Sequence, residues 1–434
     1  MNHRIEAEKL MEFLDRSPVN FFAVRTVETA LSDAGYIRLN PADAWTITPG
    51  GRYYLTVNSS AIFAVEIPET WSPADGYRII ASHSDSPCFR VKPSPAMTGE
   101  GGITRLNTEV YGGPILSTWM DRPLSLAGRA IVRGDSPLEP RSVLVKWDRP
   151  LLTIPNLAIH FNRAVNDGVR LSAQKDMLPV MGIFSDAATA NERLHAMVAE
   201  AAGCDPADLL DFDLMLYDTT PACFVGPVDE FISSGRLDDL AMVQASLRAM
   251  LAATGQPCRQ AKVMAVFDNE ETGSGTKQGA GSPVLATMLR RITRALGGSA
   301  DDYYRAVAAS FMVSADNAHA FHPNYPEKYD PTNHPVAGGG PVIKINARCK
   351  YMTDAESAAV FAEICREAGV PCQRFVNHSD VPGGSTLGNI LSAQIPLRGV
   401  DMGSPIWAMH TCRETGSVAD HAYAVAAFTR FYTL

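Results

Sequence analysis

At 434 residues the chain exceeds what one hydrophobic core usually organises, so two domains are expected, each large enough to bury a core. Hydrophobic residues at 46% and charged residues at 20% describe an ordinary globular protein, and no apolar run approaches the roughly 18 residues needed to cross a bilayer. A net charge of -9 argues against nucleic acid or an anionic membrane as partner, and an acidic substrate would need a local basic group.

The start, MNHRIEAEKLMEFLDRS, mixes charge into a helical apolar stripe of Leu10, Phe13 and Leu14 and is unlike a secretory signal, so a cytoplasmic protein is expected. Eight cysteines (Cys88, Cys204, Cys223, Cys258, Cys349, Cys365, Cys372 and Cys412) are scattered without a C-x-x-C pair or zinc-finger spacing. They read as small reduced hydrophobes. In YRIIASHSDSP the apolar residues Ile79, Ile80 and Ala81 precede His83, Asp85 and a strand-ending proline. His-x-Asp at a strand end suits a metal site, because a ligating imidazole needs an acceptor on its other nitrogen to fix its tautomer.

From about Val91 to Val228 the texture changes to prolines, glycines and short pieces such as RAIVRG, RSVLVKW and FDLMLYDT. This predicts a mostly β module with one helix over 187–201. His160, in IPNLAIHFNRAVNDG, has no spacing that assigns it a role and by itself reads as a structural histidine. At ISSGRLDDLAMVQASLRAMLAATG the pattern turns helical, with Leu240, Val243, Leu247, Met250 and Leu251 on one face and Gly255 as its stop. Asp238 and Asp239 then sit at a helix N-terminus, where acids also serve the dipole.

Val263 to Phe267 reads as a buried strand ending in Asp268, Asn269, Glu270 and Glu271, before a glycine-rich segment to Ser282. Neighbours on an extended backbone point to opposite sides, so Glu270 and Glu271 are expected to have different roles, one toward a metal and the other toward substrate. FMVSAD repeats this logic and delivers Asp316. The loop NAHAFHPNYPEKYDPTNHP follows, and PVIKINARCKY predicts a strand with Lys344 on one face. Thr353 and Glu356 read as a capping box opening a helix to Gly369, and Cys372 to Val376 as a further strand. VPGGSTLGNI gives a glycine-rich turn and a helix start, and PLRGVDMGSPIWAMH carries a last strand into a loop with His410.

This alternation predicts an α/β fold, a mixed sheet with helices on both faces, whose ligands gather outside the carboxyl ends of the strands. His83, Glu270, Glu271, Asp316 and His410 all follow apolar runs and would share that edge, and Asp238 at its helix start could face it. Two histidines, two aspartates and a glutamate suit a pair of divalent ions, with zinc the usual choice for mixed nitrogen and oxygen donors. Five ligands for two ions imply one bridging carboxylate. Such a pair activates water for attack on a carbonyl, and the carboxylate beside a ligand is placed to take the proton, which makes Glu270 the base and Glu271 the ligand.

The residues HSDSPCFRVKP, AIHFNRAVN, QKDMLPV, GRLDDLAM, FDNEETGS, SADNAHAFHPNYPEKY, DVPGGSTLG and MGSPIWAMHTCRE resemble, in order from about residue 83 to 420, the aspartyl aminopeptidase family of dinuclear zinc exopeptidases. The resemblance implies His83 and Asp316 on one metal, Glu271 and His410 on the other, and Asp238 as the bridge. It also implies Glu270 as general base to a metal-bridging hydroxide, Asp85 orienting a ligand histidine, and His160 reaching a neighbouring subunit's site. Lys344 and Tyr351 would contact an acidic substrate side chain. The expected cofactors are two divalent metal ions, zinc in the first place, with manganese or cobalt in the second site as the alternative. The family further implies a discontinuous catalytic domain over 1–91 and 230–434, an inserted β-rich dimerisation domain over 92–229, and a homo-oligomer, a tetrahedral dodecamer.

One position departs from the family: the bridging motif reads Leu-Asp-Asp where Leu-Asp-Asn is expected, so Asp239 adds a negative charge near the metals. The expected activity is a metalloaminopeptidase that removes an N-terminal residue, preferably Asp or Glu, from peptides. The alternatives are an amidohydrolase or deacylase using the same dinuclear site, and a non-catalytic shell or scaffold protein.

Overall fold

The computed structural model describes residues 2–434, which fall into two units. One comprises the chain up to Asp85 with Ala222–Met409 and Glu414–Leu434; the other comprises Ser86–Pro221 with His410–Arg413. The long segment of the second unit therefore runs over 86–221.

The first unit is built on a nine-stranded mixed sheet. In chain order its strands are β1 Ile37–Arg38, β2 Arg52–Val57, β3 Ala61–Glu66, β4 Tyr77–His83, β5 Ala261–Phe267, β6 Phe311–Ala315, β7 Val342–Ile345, β8 Gln373–Val376 and β9 Arg398–Gly403. They lie in the order β1-β2-β3-β5-β4-β6-β9-β7-β8. The four central strands β5, β4, β6 and β9 are parallel, with Phe267 opposite His83 and Val313 opposite Ile80. Antiparallel neighbours flank this block on both sides.

Side chains alternate across a strand, so each central strand feeds two cores. Ile80, Met264, Val266, Val313 and Val400 pack with helices His3–Arg16, Asn20–Asp33, Leu237–Ala252, Ala355–Glu367 and Val418–Thr433. Ile79, Ala81, Val263, Ala265 and Met312 pack on the opposite face with helices Val284–Ala295, Ala300–Ala308 and Leu387–Gln394. A strand covered on both faces has no polar side to show, which is why Val263 to Phe267 is an unbroken apolar run. A smaller five-stranded sheet (223–225, 231–234, 414–417, 405–407 and 318–319) completes this unit.

The inserted unit is a six-stranded antiparallel sheet with its strands in the order Arg141–Lys146, Leu124–Val132, Leu209–Asp218, Cys88–Thr98, Ile103–Tyr111 and Val180–Ile183. The helix Ala187–Ala202 packs on it, started by Asp186, whose carboxylate accepts from Thr189 N, and stopped by Gly203 at φ +66°. The fold is thus the expected mixed α/β sheet flanked by helices.

One local expectation shifts. The helix Ala355–Glu367 is opened by Asp354, paired reciprocally with Ser357, rather than by Thr353 with Glu356. Thr353 is diverted because its hydroxyl accepts from Asp401 N at 2.8 Å.

Charge also enters the core at the start of β5. Lys262 is 1% exposed, and its ammonium donates to Glu66 Oε1 and Gln256 O, both at 3.1 Å, and to Ala253 O. Glu66 also accepts from Gly255 N at 2.9 Å and from the Tyr36 hydroxyl at 3.3 Å. Removing one member of such a pair strands the other charge. Glu66→Ala is expected to cost about 3 to 5 kcal/mol, with Lys262→Met restoring most of it in the double variant. Thermal unfolding of the three variants checks this, and a Glu66→Ala midpoint equal to that of the parent would refute it.

Candidate metal centre

The parallel strands bring chemistry to one edge of the sheet. β4 ends in His83, β5 ends two residues before Asn269, and β6 ends one residue before Asp316. The carboxyl ends of parallel strands are where α/β sheets collect ligands. Asp238 arrives from the lead-in to helix Leu237–Ala252. Its backbone (φ -83°, ψ 107°) and that of Asp239 (φ -117°, ψ 18°) are not helical, and neither side chain caps the helix. The backbone thus takes both acids out of the helical turn whose dipole they could otherwise serve. Glu414 accepts from Asp238 N at 3.0 Å, Asp239 Oδ2 from His83 N at 3.1 Å, and Asn317 Nδ2 donates to Leu237 O at 2.7 Å.

The two glutamates are not on an extended backbone, contrary to expectation. Asn269 turns left-handed at φ +60°, and Glu270–Thr272 forms a single tight helical turn. Both amides consequently point the same way, Glu270 N to Asp85 Oδ1 at 3.2 Å and Glu271 N to Asp85 Oδ2 at 3.1 Å. The glycine-rich segment folds back on this turn. The Asn269 side-chain oxygen accepts from Thr276 and Gln278, each at 2.8 Å, and a Cβ at Gly279 would stand 2.4 Å from Ser274 O.

Asp85 meets His83 as well, with its carbonyl oxygen 3.0 Å and its Oδ1 3.3 Å from Nδ1. A neutral imidazole donating Nδ1–H there turns its Nε2 lone pair toward Asp238 Oδ1, 3.6 Å away. Ligand atoms of His83, Asp238, Asp239 and Asp316 lie within 4.8 Å of one another, as do those of His83, Glu270 and Glu271. Asp239 Oδ1 is buried without a hydrogen-bond partner. A cation answers these unmet acceptors, and imidazole with carboxylates is a donor set that zinc takes. The residues fit a metal.

Electrostatics without a cation point the same way. Burial and the neighbouring carboxylates push Glu270 up to about 8, against the opposing pull of His83. Burial, with Asp238 next, raises Glu271 well above the ordinary carboxylate range. Asp239 is likewise raised well above that range by burial, and Asp316 is raised by burial against the opposing Lys344. Burial disfavours charge on His83, but Asp239, Asp238 and Asp85 outweigh it and hold the imidazole well above its usual value.

Lys344 is buried behind this cluster. Its ammonium donates to Asn317 O at 3.1 Å, lies 3.4 Å from Asp316 Oδ2, and stands 5.5 Å from the centroid of the nearly buried Tyr351 ring. His160 is exposed on a turn of the inserted unit. His410 belongs to the 410–413 segment of that unit, where its Nδ1 is 3.1 Å from Gly113 O. Sequence reasoning missed Glu414, Asn317 and Asp401, which hold backbone near the site or, for Asp401, accept from Met352 N and the Thr386 hydroxyl. All three flank motif residues, but nothing in their spacing separates a buried acceptor from a surface one.

Fold and donor set together define a metallohydrolase. Residues 13–432 match the family described as aminopeptidase I zinc metalloprotease (M18). A probable M18 family aminopeptidase 2 of Clostridium acetobutylicum is 46% identical over 436 residues, covering 100% of each chain. Ape4, solved in complex with Nbr1, superposes with a TM-score of 0.95 at 34% identity, covering 99% of this chain and 86% of that one. The S. cerevisiae mApe1 dodecamer gives 0.87 at 25% identity, covering 99% and 96%. The chain belongs to the M18 family, and it is a zinc-dependent aminopeptidase, a peptide hydrolase.

The raised carboxyl groups set the sign of a pH effect on the metal-stripped protein. A carboxyl whose folded pKa exceeds its unfolded value must hold its proton to stay folded, so it costs stability as pH rises from the ordinary carboxylate range. With Glu270 at about 8 and its neighbours raised in the same direction, the chelated protein is expected to lose thermal stability progressively from about pH 5 to 8. The zinc-reloaded protein should lack that loss. Parallel melting curves across this range for the two forms would remove the account.

Proposed function

We propose that this aminopeptidase releases N-terminal Asp or Glu from peptides at a dinuclear centre. The observation that carries the reading is the convergence of His83, Asp238, Glu270, Glu271 and Asp316 at one edge of the parallel sheet, with a buried lysine behind it. His83 and Asp316 would hold one ion, Glu271 and His410 the other, and Asp238 would bridge; His410 is assigned from the sequence resemblance. Zinc would fill the first site, with manganese or cobalt as the alternative for the second. When bound, the ions supply Lewis acidity, which acidifies water and stabilises negative charge on the carbonyl oxygen.

The chain's own residues do the rest. Asp85 keeps the His83 ring turned with Nε2 toward the site and, through two amides, keeps Glu270 and Glu271 in place. Glu270 takes the proton of the attacking water and returns it to the leaving nitrogen. A carboxyl in a buried, acid-rich setting is basic enough to do both. Lys344 has three donors, of which Asn317 O and Asp316 engage two, leaving one for the carboxylate of a substrate side chain, with the Tyr351 ring 5.5 Å from the ammonium as the second contact. The inserted unit serves oligomerisation, with His160 completing a neighbouring subunit's site. Support for a dodecamer comes from the mApe1 neighbour, which assembles as one.

Glu270→Gln is expected to leave metal content nearly intact while lowering turnover by roughly three to five orders of magnitude, because proton transfer and charge matching are lost together. Near-normal turnover would retire Glu270 as the base. Release of N-terminal Asp, Glu, Leu and Lys from otherwise identical peptides tests the specificity. The parent, chelated and then reloaded, should favour Asp and Glu, and Lys344→Met should erode that preference at least about tenfold, the worth of one charge-assisted hydrogen bond. Preference for Leu or Lys in the parent would discard the acidic pocket and keep the aminopeptidase.

A further inference from the structure

The helices Val284–Ala295 and Ala300–Ala308 are joined by a turn that two glycines make possible. Gly297 has φ +85°, and a Cβ at Gly298 would stand 2.7 Å from the Thr293 methyl and 2.9 Å from Thr293 O, so this turn raises no side chain of its own there. Beside it opens a cavity of about 460 Å³, lined by Arg290, Arg294, Tyr303 and Tyr304 with the turn residues 297–300. None of these residues belongs to the metal centre. The lining holds two guanidinium groups and no carboxylate, in a chain whose net charge is -9. We propose that this cavity is a nucleotide site, in which a nucleoside phosphate sets its phosphate between Arg290 and Arg294 and its base on the exposed ring of Tyr304.

The charge of the two arginines is not spent inside the protein. They stand one turn apart on the same face of their helix, where like charges repel, and among the described residues neither guanidinium meets a carboxylate. Arg291, between them, is by contrast occupied: it donates to Pro41 O at 2.6 Å and lies over the Trp45 ring, 3.7 Å from its centroid. Arg294, in the last turn, answers the helix dipole, but Arg290, a turn earlier, does not. Asp302 lies outside the lining and is taken, since it accepts from Ser299 N and Oγ, both at 2.8 Å, and from Arg305 at 3.0 Å. Each guanidinium offers five N–H donors in a planar fork, and two forks match the several oxygens of a phosphate better than the two of one carboxylate. Ser299 and Ala300 bring the N-terminal end of the second helix to the cavity, which favours an anion further. The aromatic side is equally prepared. Tyr303 is buried under Arg290, whose guanidinium is 4.9 Å from the ring centroid, and Tyr304 stands edge-on to Tyr303 at 5.3 Å while remaining 58% exposed. Its ring is held in place and left uncovered, as a base-stacking platform must be.

The test is titration calorimetry of the zinc-loaded full chain with AMP, adenosine and inorganic phosphate. Saturable binding of AMP is expected, with adenosine and phosphate each at least about tenfold weaker, because each keeps only one half of the contacts. Arg290→Gln and Arg294→Gln should each weaken AMP binding at least about tenfold and Tyr304→Ala at least about fivefold, with the melting midpoint and the peptidase rate unchanged. All three side chains are exposed, so the variants are expected to fold. Should one of them not fold, the other two and the ranking of the three ligands on the parent still decide. AMP bound as tightly by the variants as by the parent would place it elsewhere, at the zinc ions above all, and would overturn the proposal. So would phosphate or adenosine binding as tightly as AMP, or no saturable binding at millimolar AMP.

Discussion

One carboxylate, Asp85, sets the geometry on which the centre depends. Its two oxygens accept the amides of Glu270 and Glu271, and its carbonyl oxygen receives the Nδ1 side of His83. Two neighbouring strand ends are thereby fixed to each other through one side chain. The turn after β5 needs that tie because Asn269 leaves the strand left-handed and the following amides would otherwise be unsatisfied. The same turn is closed from outside by the glycine-rich segment.

Around this anchor the protein concentrates like charge in a place from which water is largely excluded. Asp238, Asp239, Glu271 and Asp316 crowd His83, and burial raises the pKa of Asp239, Glu271 and Asp316. Such a cluster is unfavourable by itself, and a divalent cation changes the sign of the balance. Lys344 relieves only Asp316 directly. The strand β5 carries buried charge at its other end too, but there Lys262 and Glu66 neutralise each other. The contrast separates the two uses of buried charge in this chain. The neutralised pair ties the fold together, and the crowded carboxylates are the donor set that a cation would meet.

Much of the architecture was legible because burial leaves a period in the sequence. Strands covered on both faces, such as Val263 to Phe267, appear as unbroken apolar runs, and the helix 237–252 as a stripe of Leu240, Val243 and Leu247. The strand ends followed directly from where those runs stop, which placed His83 and Asp316 at one edge. Local polar pairings were less legible. Asp354 and Thr353 are both competent caps, and the choice between them fell to a hydrogen bond with Asp401, 48 residues away. Glu414, which fixes Asp238 from 176 residues away, left no local mark.

The order of strands and helices, the ends that carry chemistry and the kinds of donor collected there were therefore determined by the sequence alone, since each rests on residue type and short-range period. Tertiary structure alone decided how those donors face one another. It turned Glu270 and Glu271 into one tight turn and took Asp238 and Asp239 out of the helix they precede. Each of these depends on backbone conformation at a chain reversal, and reversals are fixed by hydrogen bonds to distant or turn-bound partners rather than by periodicity.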